Sequence, residues 1–397
     1  MSIISLKYNV AAEKKNYTVF ENIDVALLLS ALALLGLGLI MVTSSSISIA
    51  ERQLSDPLYF FWRQFSYSLI GIISAIIIFK LPLDFFQKAG PFLIVFSMVL
   101  LVIVLIPGIG KQVNGSIRWI NLGVVSLQVS EFVKFSTVIY LAGYLVRHNE
   151  EVRSNLSGFL RPLVLIFIIS CLLIFEPDFG AVAVIAMTAM GMLWLGGARL
   201  FQFVLLLLTM AAVLALVAVS SPYRMERLTT FLNPWADPFN SGFQLTQALI
   251  AFGRGEWFGV GLGSSVQKLF YLPEAHTDFV FAVLAEELGL FSAIGVILLF
   301  VFIVIRALMI GRRAEKREQP FTAFVTYGLA IWLGLQAFIN VGVNMGVLPT
   351  KGLTLPFMSY GGSSLIIMCW VIALILRADF ETRQFDRAGQ RKGAQAW

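Results

Sequence analysis

The sequence predicts an all-α polytopic membrane protein with ten transmembrane helices. Charged residues make up 13% of the 397, against about 25% in ordinary soluble domains, and hydrophobic residues make up 58%. The apolar residues fall in long blocks, and a helix needs roughly 20 of them to cross lipid hydrocarbon. Ten such blocks occupy residues 25–45, 59–79, 89–107, 131–147, 162–176, 179–196, 199–220, 279–309, 321–346 and 362–379.

The polar segments at the two ends define the topology. Residues 1–24 are too polar and too extended for a secretory leader, so we expect a retained cytoplasmic tail, a membrane domain at 25–380 and a basic tail at 381–397. Ten spans put both tails on one side of the membrane. That side holds nineteen of the 29 lysines and arginines, so the positive-inside rule predicts that both termini are cytoplasmic. The topology accounts for the net charge of +6 without nucleic acid as a partner.

Cysteine and histidine are too sparse for a structural disulfide or a metal cluster of their own. Cys171 and Cys369 fall in apolar blocks at opposite ends of the chain. His148 and His276 lie on opposite sides of the membrane in the predicted topology. We expect His276 to be a residue of a surface loop.

A large ordered extracytoplasmic loop is predicted at 221–278, between helices 7 and 8. It contains ten aromatic residues, too many for a disordered linker of that length. Leu245, Ala248, Leu249 and Phe252 follow the helical i, i+3, i+4, i+7 spacing, which predicts a short helix over residues 244–252. The glycine-rich segment after it lacks the spacing of a nucleotide P-loop.

Charges at the membrane edge are costly and therefore informative. Glu131 and Lys134 stand three residues apart on a predicted helix, a spacing that favours a structural pair. Asp178 precedes the sixth block and is expected to cap that helix. Lys351 is surrounded by prolines and glycines that break helices, so we expect it to line a cavity and to have a function.

The stretch YLPEAHTDFVFAVLAEELG, residues 271–289, carries four carboxylates and no lysine or arginine. Asp278 directly precedes an apolar helix, so capping and catalysis are equally compatible with its position. Glu286 and Glu287 lie about 12 Å further along that helix, at about 1.5 Å per residue. We expect at least one of them to be structural, buried and paired with a cation such as Lys134.

Four longer motifs resemble a known family. They are NGSIRWINLG with SEFVK, EPDFG, the stretch YLPEAHTDFVFAVLAEELG, and NMGVLPTKGLTLPFMSYGGSS. Together they resemble the SEDS family (shape, elongation, division and sporulation), and the PTKGLTLP form resembles its cell-division branch. Val129 and Ala181 depart from the residues that are usual in the family.

The resemblance implies a peptidoglycan glycosyltransferase of the bacterial inner membrane. The implied substrate is lipid II, a disaccharide-pentapeptide on undecaprenyl pyrophosphate, which is polymerised at the outer face. The implied partners are a class B penicillin-binding transpeptidase and other division proteins at the septum. In the family the aspartate of the HTDF-type motif is essential, and in this sequence it is Asp278.

These considerations predict the following site. Asp278 is the general base that accepts the proton of the attacking sugar hydroxyl. A pyrophosphate leaving group needs no second carboxylate as acid but favours cations, including a divalent metal such as Mg²⁺ or Mn²⁺. The substrate-binding candidates are Arg118, Lys134, Lys351, Lys268, Glu274 and Ser359, and the structural residues are Glu131, Glu286, Glu287 and Asp178. The alternatives are a lipid II flippase, with the intramembrane charges along its path, and a division scaffold.

Overall fold

The computed structural model describes residues 23–113, 116–121, 123, 126–199, 201, 204, 208, 219, 231–240, 242–349 and 352–394. In this part of the chain eight helices are long and apolar enough to cross a membrane, and a shorter apolar helix accompanies them. The predicted class of polytopic helical membrane protein is therefore confirmed. The predicted seventh span, 199–220, lies mostly outside the described residues.

The helices follow the apolar blocks closely. In chain order they are α1 (Val25–Leu54), α2 (Tyr59–Lys80), α3 (Leu83–Val104), α4 (Val129–Ser154), α5 (Leu156–Phe175), α6 (Phe179–Leu195), α7 (Phe243–Gly255), α8 (Val280–Lys316), α9 (Pro320–Asn344) and α10 (Gly362–Ala394). Polar residues at the helix ends form caps and ion pairs. Asp24 accepts a hydrogen bond from the Leu27 amide at the start of α1 and pairs with Arg306 of α8. The predicted tail from residue 381 begins as a continuation of α10.

Three helices form the centre of the bundle. In their apolar windows 83% of α4, 72% of α9 and 78% of α10 is buried by protein, against 22% of α2 and 28% of α3. The outer helices expose large apolar side chains such as Phe92 and Phe167, as lipid-facing helices do. The central helices are consequently the ones whose polar residues must find partners inside the protein.

A small sheet lies between α3 and α4 and was not predicted. Its strands, β1 (Gly110–Val113), β2 (Ser116–Asn121) and β3 (Ser126–Gln128), pair antiparallel in that order. Residues 114–115, between β1 and β2, lie outside the described residues. The sheet is attached to α10, because the Gln128 amide donates to Ser363 Oγ at 2.9 Å and Ser363 donates to the Ser126 carbonyl at 2.7 Å. It thereby holds β2 at the outer end of the bundle.

The outer loop contains the predicted helix. α7 extends over Phe243–Gly255 and includes the predicted residues 244–252. It packs closely on α8: a Cβ on Gly255 would lie 1.9 Å from the Ala285 carbonyl oxygen, so only glycine fits there. A 3₁₀ turn at Pro234–Ala236 precedes α7. Residues 221–230 of the predicted loop lie outside the described residues.

A break at Gly289 divides α8 into an outer part and a membrane-spanning part. Gly289 has φ of 76° and ψ of −178°, and a Cβ there would lie 2.3 Å from the Gly259 nitrogen. The backbone groups at the break bond to the glycine-rich segment after α7. Val260 N donates to the Glu286 carbonyl at 3.0 Å, and Leu290 N donates to the Glu256 carbonyl at 2.9 Å. The outer part of α8 is thus held by the loop.

Candidate active site

Asp278 lies on the turn that leads into α8, and its carboxylate does not cap that helix. The capping contact comes from another helix: Asn344 Oδ1 of α9 accepts the Ala282 amide at 3.0 Å. Among the described residues, none donates a hydrogen bond to the Asp278 carboxylate, and α8 has no side-chain cap at its N-terminal flanking residue. Of the two interpretations of Asp278 left open by the sequence, capping is therefore not the one present in the structure.

The turn that carries Asp278 is formed by its neighbour Glu274. The Glu274 carbonyl accepts the amides of Thr277 and Asp278, at 3.2 and 3.1 Å. Thr277 Oγ1 donates to Glu274 Oε2 at 2.6 Å, and Glu274 itself has φ of 56°. These bonds fold the segment back on itself, so that Glu274 and Asp278 share one electrostatic environment.

The carboxyl group of Asp278 is poised to ionise near neutral pH. Burial and the charge of Glu274 raise its pKa from 3.8 to about 7, although the guanidinium of Arg118 acts to lower it. The chain segment after residue 351 lies beside the carboxylate, since a Cβ on Gly352 would be 3.2 Å from Asp278 Oδ2. A half-buried carboxylate with a pKa close to 7 is suited to accept a proton.

Arg118 connects the sheet to the EPDFG motif. Its guanidinium lies 3.6 Å from Asp178 Oδ1 and donates to Ser116 Oγ at 3.0 Å, with 22% of the side chain exposed. Asp178 also accepts the Ala181 amide at 3.1 Å, which confirms the prediction that it caps α6. Arg118 is therefore a partly accessible cation whose charge reaches Asp278.

Glu176 is an acid of this site that the sequence did not assign. It is fully buried between α5 and α6, and neither carboxylate oxygen has a hydrogen-bond partner in the described part of the chain. Burial and the charge of Asp178 raise its pKa to about 8, although Arg118 acts to lower it. The sequence signal for Glu176 was its position in the EPDFG motif, two residues before the capping residue Asp178.

His276 lies in the outer loop, as predicted, and is partly buried among aromatic rings. Its ring lies 4.7 Å from that of Phe60 and 5.6 Å from that of Tyr360. The Tyr360 amide donates to the His276 carbonyl at 2.9 Å. Burial lowers the pKa of the imidazole, so His276 is neutral at neutral pH and shapes the wall beside Asp278.

Comparison with known proteins places this arrangement in a family. Residues 25–384 match the model of the cell cycle proteins FtsW, RodA and SpoVE. The chain belongs to the FtsW/RodA/SpoVE family. The four sequence motifs described above resemble the same family.

Relatives and solved structures of the FtsW/RodA/SpoVE family agree over nearly the whole chain. A protein of Nitrosococcus halophilus is 58% identical, covering 93% of this chain and 95% of its own length. One of Coxiella burnetii is 54% identical, covering 93% and 99%. Both are named "Probable peptidoglycan glycosyltransferase FtsW". The expectation of an enzyme of the peptidoglycan glycosyltransferase class agrees with these names.

Two solved structures share the fold. RodA of Thermus thermophilus has a TM-score of 0.67 at 25% identity, over 90% of this chain and 96% of its own. A chain from a study titled "Structural coordination of polymerization and crosslinking by a peptidoglycan synthase complex" has a TM-score of 0.73 at 26% identity, over 91% and 99%. The FtsW/RodA/SpoVE fold is therefore supported by both sequence and structure.

Two lysines predicted to bind substrate are buried and paired with other residues of the protein. Lys134 is buried, with its ammonium 2.8 Å from Glu131 Oε1 and 2.8 Å from Gln336 Oε1. Lys268 is buried as well, 2.8 Å from Glu287 Oε1 and 3.0 Å from Ser44 Oγ. Their ammonium groups are held by protein partners in this structure, and their role in substrate binding stays a prediction.

The other predicted substrate contacts have different outcomes. Ser359 is buried, and its hydroxyl accepts the Leu355 amide at 2.8 Å, so it stabilises a turn, and its role in substrate binding stays a prediction. Glu274 and Arg118 lie in the field of Asp278, as described above. Lys351 lies outside the described residues.

The predicted structural acids are buried and paired. The pair between Glu131 and Lys134 is confirmed at 2.8 Å. Glu286 lies 3.3 Å from the Arg254 guanidinium and accepts the Ser265 hydroxyl at 2.5 Å. The suggested partner of the Glu286–Glu287 acids, Lys134, was wrong, since the cations are Arg254 and Lys268.

No metal site is assigned. Within the described ranges, no three histidine, cysteine, aspartate or glutamate side chains are arranged to hold a metal ion.

Proposed function

We propose that this chain is a peptidoglycan glycosyltransferase that polymerises lipid II, with Asp278 as its general base. The observation that carries the proposal is the state of the Asp278 carboxylate. Asn344 supplies the cap of α8, so the Asp278 carboxylate does not cap the helix. The carboxylate lies half-buried beside Gly352, and its pKa is about 7. The names of the relatives, which describe peptidoglycan glycosyltransferases, support the same reaction class.

The reaction joins the C4 hydroxyl of one sugar to the anomeric carbon of another. Asp278 accepts the hydroxyl proton as the oxygen forms the new glycosidic bond, and the bond to the lipid pyrophosphate breaks with its electron pair on the departing oxygen. Pyrophosphate departs as an anion without a proton donor, so one carboxylate suffices. Attack from the face opposite the leaving group inverts the anomeric centre.

Arg118 is the described cation best suited to the developing negative charge. It lies on β2 at the outer end of the bundle, it is partly exposed, and its charge reaches Asp278. A fixed guanidinium near the departing pyrophosphate stabilises the transition state, in which the negative charge of the pyrophosphate grows, more than the ground state. It also keeps the Asp278 pKa from rising further above neutrality.

The working environment follows from the same proposal. The chain acts as a multi-pass protein of the inner membrane, with both termini in the cytoplasm and the site on the outer face at the division septum. A class B transpeptidase would crosslink the strands it makes. The structural neighbour from a synthase complex that combines polymerisation and crosslinking supports such a partner.

The test is polymerisation of labelled lipid II by the purified Asp278→Asn variant, in complex with the transpeptidase. Asparagine keeps the size of the side chain but cannot take up the proton, so we expect the rate to fall about 10²- to 10⁴-fold. Asp56→Asn is the matched control. Asp56 lies in the exposed α1–α2 loop, where its side chain accepts the Leu58 amide at 3.1 Å, and asparagine can replace it with no change of rate.

The same assay separates the alternatives. A normal rate for Asp278→Asn would end the general-base assignment. Absence of glycan product from the wild-type complex, together with lipid II scrambling in vesicles, would favour the flippase. Absence of both activities, with the division proteins still recruited, would favour the scaffold.

A further inference from the structure

A polar stripe runs along α9, one of the three central helices, which contacts the Asp278 turn. Trp332, Gln336, Asn340 and Asn344 follow one another at four-residue spacing, which places them on one face of the helix. All four are buried, with at most 2% of each exposed. Polar side chains in the core of a membrane protein are costly unless they form hydrogen bonds, so the bonds they make identify their role.

Asn344 makes two contacts with the Asp278 region through the two ends of its amide. Its Oδ1 accepts the Ala282 amide at 3.0 Å, in the first turn of α8. Its Nδ2 donates to the Asp278 carbonyl at 2.9 Å. One side chain therefore caps α8 and holds the backbone of the proposed base.

Asn340 links the Asp278 carbonyl to the segment that contains Leu353. Its Nδ2 donates to the Asp278 carbonyl at 3.0 Å and to the Leu353 carbonyl at 2.6 Å. One turn earlier, Gln336 donates to the Thr354 carbonyl at 3.1 Å and accepts from Lys134 at 2.8 Å. The stripe thus connects the Asp278 turn, the segment 352–354 and the Glu131–Lys134 pair.

We propose that Asn340 and Asn344 are positioning residues of the glycosyl transfer, which hold the Asp278 backbone and take over the capping of α8. Their amides fix the carbonyl of Asp278, so its Cα and carboxylate keep one place relative to segment 352–354. Because Asn344 supplies the cap, the carboxylate of Asp278 is left for the substrate hydroxyl. This inference rests on the proposed role of Asp278 as base.

The capping exchange has a measurable electrostatic consequence. Helix N-terminal amides stabilise a carboxylate over a carboxylic acid, so an Asp278 forced to cap α8 would have a lower pKa. The charged groups that face Asp278 in the described structure are Glu274 on its own turn and Arg118 on β2, with Glu176 and Asp178 beside Arg118. None of these changes when Asn344 is replaced.

The experiment measures kcat, KM and the pH profile of lipid II polymerisation for Asn344→Ala and Asn340→Ala in the transpeptidase complex. Asn344→Ala removes the cap, so we expect kcat to fall about 10- to 100-fold, since small displacements of a catalytic group have such effects. The acid limb of its profile should also move to lower pH, by about half a unit or more. Asn340→Ala keeps the cap, so its kcat should fall while the acid limb stays in place.

Thr326→Val is the matched control for the loss of a buried polar group on the same helix. Thr326 is buried and bonds only to the Thr322 carbonyl one turn away, at 2.6 Å, within the described structure. We expect its rate and pH profile to be those of the wild type. If Asn344→Ala does not fold, Asn344→Ser, which keeps a hydroxyl but is too short for both contacts, takes its place.

The outcomes separate this inference from the proposed function. An inactive Asp278→Asn together with wild-type kinetics and an unmoved profile for Asn344→Ala would overturn only the positioning role. A loss of kcat in both asparagine variants with identical acid limbs would overturn the capping exchange. An active Asp278→Asn would remove the base on which the inference depends.

Discussion

Glu287 and Asp278 come from one stretch of sequence but have opposite surroundings in the fold. Glu287, near the end of the outer part of α8, receives the Lys268 ammonium at 2.8 Å and both its oxygens accept the Ser44 hydroxyl, at 2.8 and 2.7 Å. Asp278, before the start of the same helix, lies half-buried with its carboxylate free of helix capping. The two acids differ both in their partners and in their burial.

The partners of a buried carboxylate in a membrane protein indicate whether its role is structural or functional. A fully paired acid is already balanced, and its removal exposes an unmatched cation. An acid whose pKa is raised by burial retains a high affinity for protons, which is what a general base requires. Burial alone therefore does not mark a functional acid, whereas burial combined with the lack of a dedicated cation does.

The largest expected effect comes from breaking the balanced pair. Glu287→Gln leaves the buried Lys268 ammonium without its counter-charge, and we expect unfolding to become easier by about 3–5 kcal/mol. Thermal unfolding of the detergent-solubilised protein measures the loss. Glu51→Gln, in the exposed end of α1, is the control and should leave the transition unchanged. A Glu287→Gln protein as stable as the wild type would contradict the distinction drawn between the two acids.

A smaller effect is expected in the pH dependence of activity. Because the pKa of Asp278 is raised to about 7, the base is protonated below that pH and the rate should rise through neutrality to a plateau. One pH unit below the pKa the rate should be about tenfold lower than on the plateau. Initial rates of lipid II polymerisation across this range provide the measurement. A rate that is already constant from pH 5 upward would show that no group with a pKa near 7 controls the reaction.

A third expected effect has the opposite sign to that of Glu287→Gln. The folded-state pKa of Asp278, about 7, lies above its ordinary value of 3.8. As the pH rises between these values the unfolded chain loses its proton first, so the folded state loses stability across this window. Asp278→Asn should therefore melt at a higher temperature than the wild type above pH 7 and at the same temperature near pH 4. A lower melting temperature above pH 7 would mean that the charged carboxylate stabilises the fold.

The sequence predicted what depends on composition and on close spacing. The long apolar blocks identified the helices, the i, i+3 spacing identified the Glu131–Lys134 pair, and the position before an apolar run identified the Asp178 cap. The short sheet was missed because strands of three to six residues carry little periodic signal within a chain dominated by helices.

Contacts between distant segments were beyond sequence reasoning. Lys268 was expected at the substrate and is buried against Glu287 and Ser44, because the glycine-rich loop folds back onto α8 and α1. The cap of α8 comes from Asn344, more than sixty residues away along the chain. No local pattern distinguishes an asparagine that reaches another helix from one that faces its own.

The break at Gly289 relates the site to the thickness of the bilayer. A straight helix of the 37 residues of α8 would be about 55 Å long, against about 30 Å of hydrocarbon to cross. The break assigns the outer residues of α8 to the surface, where backbone bonds to the glycine-rich segment fix them. A membrane-spanning helix adapts to thicker or thinner lipid by changing its tilt. Since the outer part is not a continuation of the spanning part, such tilting need not carry Asp278 with it, and the depth of the site is set by the protein rather than by the lipid.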